Sequence, residues 1–377
     1  MQVLVVNAGS SSLKLRLLDD QDQVVESADL PARDSDINDR DLTRTLRDWP
    51  APDVAGHRIV HGGTRFTGPV LVDRAVENAL RELTDLAPLH QPKSLAAFDA
   101  VRRLLPDVAA VACFDTAFHA SLPAAAATYA VPREWQQRYG VRKYGFHGLS
   151  HAYCSRRGAE LLRRQPAGLR LVTCHLGAGA SLAAVVNGRS VDTTMGFTPL
   201  EGLVMATRSG TVDPGLVLWL EQHEDLPPSA VADALEHRSG LLALAGTTDM
   251  REVQAHAAAG DEAATVAFDV FIHRLVTGIG AMTAAAGGLD ALVFTGGIGE
   301  HSPVVRAAAT ERLGHLGVHI DAGHNDEVED DADISHEQAT ARTLVVTARE
   351  DLQIAQETRR VLAAGTKPRS GDGGPDE

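Results

Sequence analysis

Two near-copies of one strand–hairpin–strand pattern lie about half a chain apart, and they limit what this sequence can become. In the first, LVVNAGSSSLKLRLL, the apolar run Val3–Val6 meets Asn7-Ala8-Gly9-Ser10-Ser11-Ser12 and then the alternating run Leu13–Leu18. In the second, LRLVTCHLGAGASLAAVV, Leu169–Cys174 meets His175-Leu176-Gly177-Ala178-Gly179-Ala180-Ser181 and another apolar run. Glycine admits an anion close to the backbone, and hydroxyls and N–H groups supply donors. A third glycine loop, Thr295–Glu300, follows the apolar strand pattern Ala291–Phe294. Three such loops at strand ends predict a duplicated α/β enzyme that grips a polyphosphate.

Both copies continue in parallel. Asp19–Asp22 marks a turn before a third strand at Gln23–Glu26, and Asn187-Gly188 marks a tighter one before Arg189–Asp192. Each half therefore opens with a three-stranded antiparallel meander. Helical spacing follows at Asp73–Leu86 and Ser94–Leu105, leading to a strand at Val108–Phe114. In the second half it covers Glu262–Ala286 before Ala291–Phe294. The segment Ala32–Pro52 is charged and reads as a loop or short helix. Glu350–Ala363 reads as an amphipathic helix returning to the first domain, and Gly365–Glu377 as a disordered tail.

With 377 residues, 44% of them hydrophobic, the chain can bury two cores. Its formal net charge of −15 disfavours nucleic acid and anionic membranes as partners. Any anion site must then be built locally, from placed Arg, Lys or His or from a metal. Cys113, Cys154 and Cys174 have no CxxC spacing and read as buried free thiols in a reducing compartment. No signal peptide and no apolar run of about 18 residues is read from the sequence, so the expected location is cytoplasmic.

Candidate chemistry falls into compact polar clusters at expected strand ends: Gly56–Gly63, Pro88–Pro92, Phe114–His119, Tyr144–His151 and Ala206–Asp213. HExxH, Cys/His zinc frameworks, Walker A spacing and protein-kinase signatures are absent from the sequence.

The blocks NAGSSSLK, GHRIVHGG, APLHQP, FDTAFH, VRKYGFHGLSH, CHLGAGAS, MGFTPLEGLVMATRSGTVDP, FTGGIGEHSP and AREDLQIAQET resemble, in order, those of the acetate kinases. These enzymes belong to the sugar kinase/Hsp70/actin superfamily. The resemblance runs from Met1 to about Ala363 and implies two duplicated ribonuclease-H-like (actin-like ATPase) domains flanking an active-site cleft. It places an acetate- and metal-side domain at 1–119 plus 352–365, a nucleotide-binding and dimerisation domain at 120–351, and a disordered tail at 366–377. It implies reversible phosphoryl transfer from ATP to acetate, with Mg²⁺ or alternatively Mn²⁺, in a homodimer.

Residue by residue, the resemblance implies that Asn7 and Glu350 hold the metal. Arg58 would bind the acetate carboxylate, while His147 and Arg208 stabilise the moving phosphoryl group. Asp115 would be the catalytic acidic residue, with His90 and His175 lining the same cleft. Val60, Leu89, Phe146 and Pro199 match the acetate-methyl pocket. Lys14, His175, Leu176, Gly177, Ala178, Gly179, Asp249, Met250, Arg251, Gly297, Ile298, Gly299, Glu300 and His301 match the nucleotide contacts. An acetate carboxyl is already ionised at neutral pH, so no base is needed and Asp115 is expected to orient a cation instead. Three positions depart from the family blocks: Ala178 replaces the Asn of HLGNG, His301 the Asn of GIGEN, and Leu149 the Thr of FHGTSH. The alternatives are a propionate or butyrate kinase, a pyrophosphate-linked or phosphatase-like relative, and a catalytically silent nucleotide-binding regulator.

Overall fold

The computed structural model describes residues 1–9, 12–33, 36–86 and 91–365. The chain divides into two compact units. The first takes in Met1–Ala117 and the returning segment from Glu350; the second is Phe118–Arg349. The hairpin residues Ser10 and Ser11, the pocket candidates Leu89 and His90, and the tail 366–377 lie outside the described residues.

In the first unit the strands are β1 (Val3–Ala8), β2 (Ser12–Leu18), β3 (Val24–Arg33), β4 (Asp36–Ile37), β5 (Val54–Ile59), β6 (Val70–Leu71) and β7 (Ala109–Phe114). They form one sheet in the order β4-β3-β2-β1-β5-β7-β6. β1, β5 and β7 are parallel, whereas β2, β3 and the short β6 run antiparallel to their neighbours. β1 is apolar almost throughout because it is central and covered on both faces. Leu4 and Val6, with Leu13, Leu15 and Leu17 of β2, pack with Leu42, Ala97 and Val101 from helices Asp39–Asp48 and Gln91–Leu104. The helix Glu350–Gly365 packs on β1, β5 and β7 of this unit. A Cβ at Gly56 would stand 2.3 Å from Thr358 Oγ1, so helix and sheet can approach this closely only over glycine.

The second unit repeats the plan with β8 (Arg170–Leu176), β9 (Ala180–Val186), β10 (Arg189–Thr193), β11 (Ala291–Thr295), β12 (Ala332–Asp333) and β13 (Arg342–Val345). Their order, β10-β9-β8-β11-β13-β12, reproduces β3-β2-β1-β5-β7-β6 strand for strand. Here too the three central strands are parallel, and the last short strand is antiparallel. Two meanders, each feeding parallel strands, give the duplicated ribonuclease-H-like, actin-like ATPase architecture. The three cysteines are buried and free.

One expectation needs correction. The third glycine loop is a single helical turn, Gly296–His301, despite the poor helix propensity of glycine. Gly296 starts it at φ 77°, where a Cβ would meet the Leu176 backbone at 2.8 Å, so tertiary contact selects the conformation. The helix Glu262–Ala285 is long and apolar enough, by length and composition, to cross a membrane, although charged residues interrupt its apolar run. It carries Asp269, His273 and Arg274, and it packs on β9 and on helices Gly240–Ala245 and Met250–Ala258.

Candidate active site

In the first unit four polar side chains converge at the carboxyl ends of the parallel strands, where α/β sheets usually bind ligands. Asn7 is the penultimate residue of β1, and Arg58 that of β5. Asp115 follows β7 directly, and Glu350 opens the returning helix. Arg58 Nε donates to both Asp115 oxygens at 3.1 Å, and Nη2 donates to Oδ2 at 2.5 Å. Its Nη1 donates to the Ala8 carbonyl at 3.0 Å and to Asn7 Oδ1 at 3.4 Å. Asn7 Nδ2 in turn donates to Glu350 Oε2 at 2.8 Å.

These bonds decide what the cluster can do. Guanidinium has five N–H donors, and four are directed within the unit, which leaves one Nη2–H for a bound anion. Burial on its own would lower Arg58, but the Asp115 and Glu350 carboxylates outweigh it and hold the guanidinium above its ordinary value. Burial raises the Asp115 carboxyl, while the Arg58 charge and hydrogen bonds pull against it. Both Asp115 oxygens face guanidinium donors, the geometry of a brace. Val60, just past β5, is buried. Its neighbours are pinned: His61 N–H donates to Gln91 Oε1 at 3.1 Å, and Gly62 N–H to Thr116 Oγ1 at 3.0 Å.

Asn7 Oδ1 and the Glu350 carboxylate are oxygen donors suited to a hard cation. Among the described residues no group of three or more His, Cys, Asp or Glu could cage a metal. Mg²⁺ is commonly held by one or two carboxylates together with waters and substrate phosphates, so the donor set fits it.

In the second unit His147, His175 and Arg208 gather at the β8–β9 hairpin. His175 occupies on β8 the station that Asn7 has on β1, the penultimate strand residue before the hairpin. His147 sits at φ 56°, immediately before helix Gly148–Leu161. The rings of His147 and His175 are 4.4 Å apart. Ser150 Oγ meets His175 Nδ1 at 2.8 Å, and Ser181 Oγ meets His147 Nδ1 at 2.9 Å. A Cβ at Gly179 would lie 3.3 Å from His147 Nε2 and 3.4 Å from Arg208 Nη1, so the hairpin glycine brings both groups together. The Arg208 loop is tied on by Ala206 N–H, which donates to the Ala178 carbonyl at 3.1 Å. Burial lowers Arg208, and Glu236, 3.3 Å from its Nε, opposes that. Arg208 Nη1 also lies 3.5 Å from the carbonyl of buried Pro199.

Buried His119 was in a sequence cluster but had no assigned role. Its ring meets Ser190 Oγ at 2.8 Å and the Phe146 carbonyl at 3.0 Å, which fixes the residue before His147. That carbonyl can only accept, so His119 carries its proton on Nε2. Phe146 is buried beside it. Glu236 was missed altogether: it lies on helix Pro228–His237, with no motif to mark it.

The expected nucleotide residues divide into open and committed positions. Ala178, Gly297 and His301 are exposed, and a Cβ at Gly297 would meet nothing within 4 Å. Ile298 and Gly177 are half-buried, whereas Leu176 and Gly299 are buried. The Glu300 carboxylate is committed to structure, accepting from Gly296 N–H at 2.7 Å and Ala348 N–H at 2.9 Å. Asp249 caps helix Met250–Ala258 and pairs with exposed Arg251 at 2.5 Å, while Met250 is core. Lys14 is exposed on β2 of the first unit, opposite Asn7.

Residues 50–356 match the model of the acetokinase family. The acetate kinase of Nostoc punctiforme is 44% identical over 362 residues, covering 96% of this chain and 88% of that protein. The crystal structure of Porphyromonas gingivalis acetate kinase superposes with a TM-score of 0.87 at 34% identity, covering 96% of this chain and 99% of that one. A propionate kinase from Francisella tularensis gives the same TM-score, identity and coverage. With its signature blocks in order and both sheets in the same duplicated arrangement, the chain belongs to the acetokinase family.

Proposed function

We propose that the chain transfers a phosphoryl group reversibly between ATP and acetate, giving acetyl phosphate and ADP. The observation that carries this reading is the Arg58–Asp115 pair. Among the described residues, the buried carboxylate at the strand ends is turned onto a guanidinium, as suits an acceptor that needs its charge balanced and no proton removed.

Arg58 offers its remaining Nη2–H and its charge to the acetate carboxylate, and Asp115 fixes the direction of that donor. Val60, Phe146 and Pro199 are the apolar residues assigned to the methyl group. Arg208, and His147 as an imidazolium protonated on both nitrogens, donate toward the phosphoryl oxygens, the kind of placed charge on which phosphoryl transfer depends. Mg²⁺, held through Asn7 and Glu350, would offset phosphate charge. The attacking carboxylate oxygen forms the new P–O bond as the bond to the ADP oxygen breaks, so no proton moves. In this assignment Asn7, Arg58, Val60 and Glu350 belong to the first unit, and Phe146, His147, Pro199, Arg208 and the nucleotide residues at the β8–β9 hairpin and the Gly296–His301 turn to the second. A homodimer through the second unit is part of this reading, supported by exposed Leu216, Leu218 and Trp219 on helix Pro214–His223. A cytoplasmic location is supported by the three free thiols.

The test is ADP release with Mg·ATP in the presence of no acid, acetate, propionate or butyrate, with hydroxylamine trapping the acyl phosphate. Acetate-dependent turnover is expected, with propionate about tenfold or more less efficient, since one methylene is worth about 1–3 kcal/mol. Efficient turnover of propionate over acetate would move the assignment to a propionate kinase. ADP release independent of any acid would overturn it.

A further inference from the structure

His147 is the end of a hydrogen-bonded chain that runs into the core of the second unit. Ser181 Oγ lies 2.9 Å from His147 Nδ1 and 2.8 Å from His151 Nε2. His151 Nδ1 lies 2.8 Å from Thr173 Oγ1, which is 3.5 Å from the Ala183 carbonyl. Ser181, His151 and Thr173 are all fully buried. Each hydroxyl has one proton, so each can donate to only one of its two neighbours.

The direction of the chain follows from its inner end. The Ala183 carbonyl can only accept, so its contact with Thr173, although long for a hydroxyl bond, points the Thr173 proton toward it and leaves Thr173 to accept from His151 Nδ1–H. Burial, with the neighbouring His119 and His175 adding to it, holds His151 well below the ordinary histidine value, so its ring is neutral and carries a single proton. Its Nε2 then accepts from Ser181, and the Ser181 oxygen accepts from His147 Nδ1–H. The reverse direction would give up the long Thr173–Ala183 contact. It would also have to turn round whenever His147 took up a second proton.

We propose that Ser181 and His151 are positioning residues for His147, fixing it as the Nδ1–H tautomer with its Nε2 edge turned to the hairpin at Gly179. The inference rests on the reading that His147 meets the transferred phosphoryl group. It adds the reason that the ring keeps one orientation and one tautomer there. Orienting an imidazole through its second nitrogen is a general device of catalytic and metal-bound histidines.

The test combines ¹⁵N-histidine NMR of the full chain with kinetics, the His147 signals being assigned by their loss in His147→Gln. At alkaline pH, where the imidazoles are neutral, the wild type should show a pyrrole-type Nδ1 and a pyridine-type Nε2 at His147. In Ser181→Ala the tautomer should shift toward Nε2–H. The kcat should fall roughly 10–100-fold, the range carried by outer hydrogen-bond partners of a working imidazole, while KM for ATP changes less than about threefold. Ser181→Thr, which keeps the hydroxyl, should recover part of the loss. An Nε2–H tautomer in the wild type, or a Ser181→Ala protein with both tautomer and kcat unchanged, overturns the proposal. The NMR result stands apart from turnover, so a protein that makes no acetyl phosphate refutes the activity and leaves the tautomer to be judged by its own signals.

Discussion

Asp115→Asn preserves the shape of a side chain that is 1% exposed and removes its charge. The wild-type carboxylate accepts from Nε and Nη2 of Arg58, which is itself only 14% exposed. An amide keeps one acceptor oxygen but turns an NH₂ toward guanidinium donors, leaving the buried cation without its counter-charge. Removing one partner of a buried pair costs about 3–5 kcal/mol. If that cost falls wholly on holding acetate in the transition state, kcat/KM drops by roughly 10²–10⁴-fold, at 1.4 kcal/mol per factor of ten. The assay is the initial rate of hydroxamate formation across a range of acetate, with thermal unfolding followed alongside to separate loss of fold from loss of site. Since Asp115 acts through Arg58, Arg58→Lys should cause a comparable loss, and the double variant should lose far less than the product of the two. Normal turnover in Asp115→Asn, or losses that simply multiply, would refute the brace.

Two further outcomes follow from the geometry. Burial pulls His57 down to about 3 and His119 down to about 4, against about 6.5 in the unfolded chain. The unfolded chain therefore binds more protons, so stability is fully present above about pH 6.5 and falls toward pH 4, by about 1.4 kcal/mol per pH unit for each histidine. Urea midpoints across that window should show the slope, His57→Gln should flatten part of it, and a pH-independent midpoint would contradict the assignment. Gly179→Ala places a methyl 3.3 Å from His147 and 3.4 Å from Arg208 Nη1, forcing shifts of a few tenths of an ångström. It should reduce kcat about tenfold with little change in melting temperature, and an unaltered kcat would show that neither side chain depends on the hairpin.

The meanders were legible in the sequence because they are local: alternating apolar residues, Asn187-Gly188 and the Gly/Ser hairpins fix strand and turn within about 15 residues. The helix Gln91–Leu104 began earlier than the spacing suggested, and the two-residue β6 and β12 are too short to leave a periodic trace. The candidate site residues could be named because they sit in dense blocks, but their partnerships could not. Glu236 reaches Arg208 from a separate helix, and the Glu300 carboxylate serves backbone N–H groups as far off as Ala348. His151 and His119 looked like further members of a polar cluster. Only tertiary packing sets each between two hydrogen-bond partners.

The returning helix has a consequence for the order of synthesis. The second unit is one uninterrupted stretch, whereas the first needs Glu350–Gly365 to cover β1, β5 and β7. On a ribosome its strands emerge first but wait, with Val3, Val5 and the Gly56 notch uncovered, until the last helix is made. The later-made unit can close before the earlier one. The opening strands are thus the stretch most in need of protection on a nascent chain, although they end in the middle of a sheet.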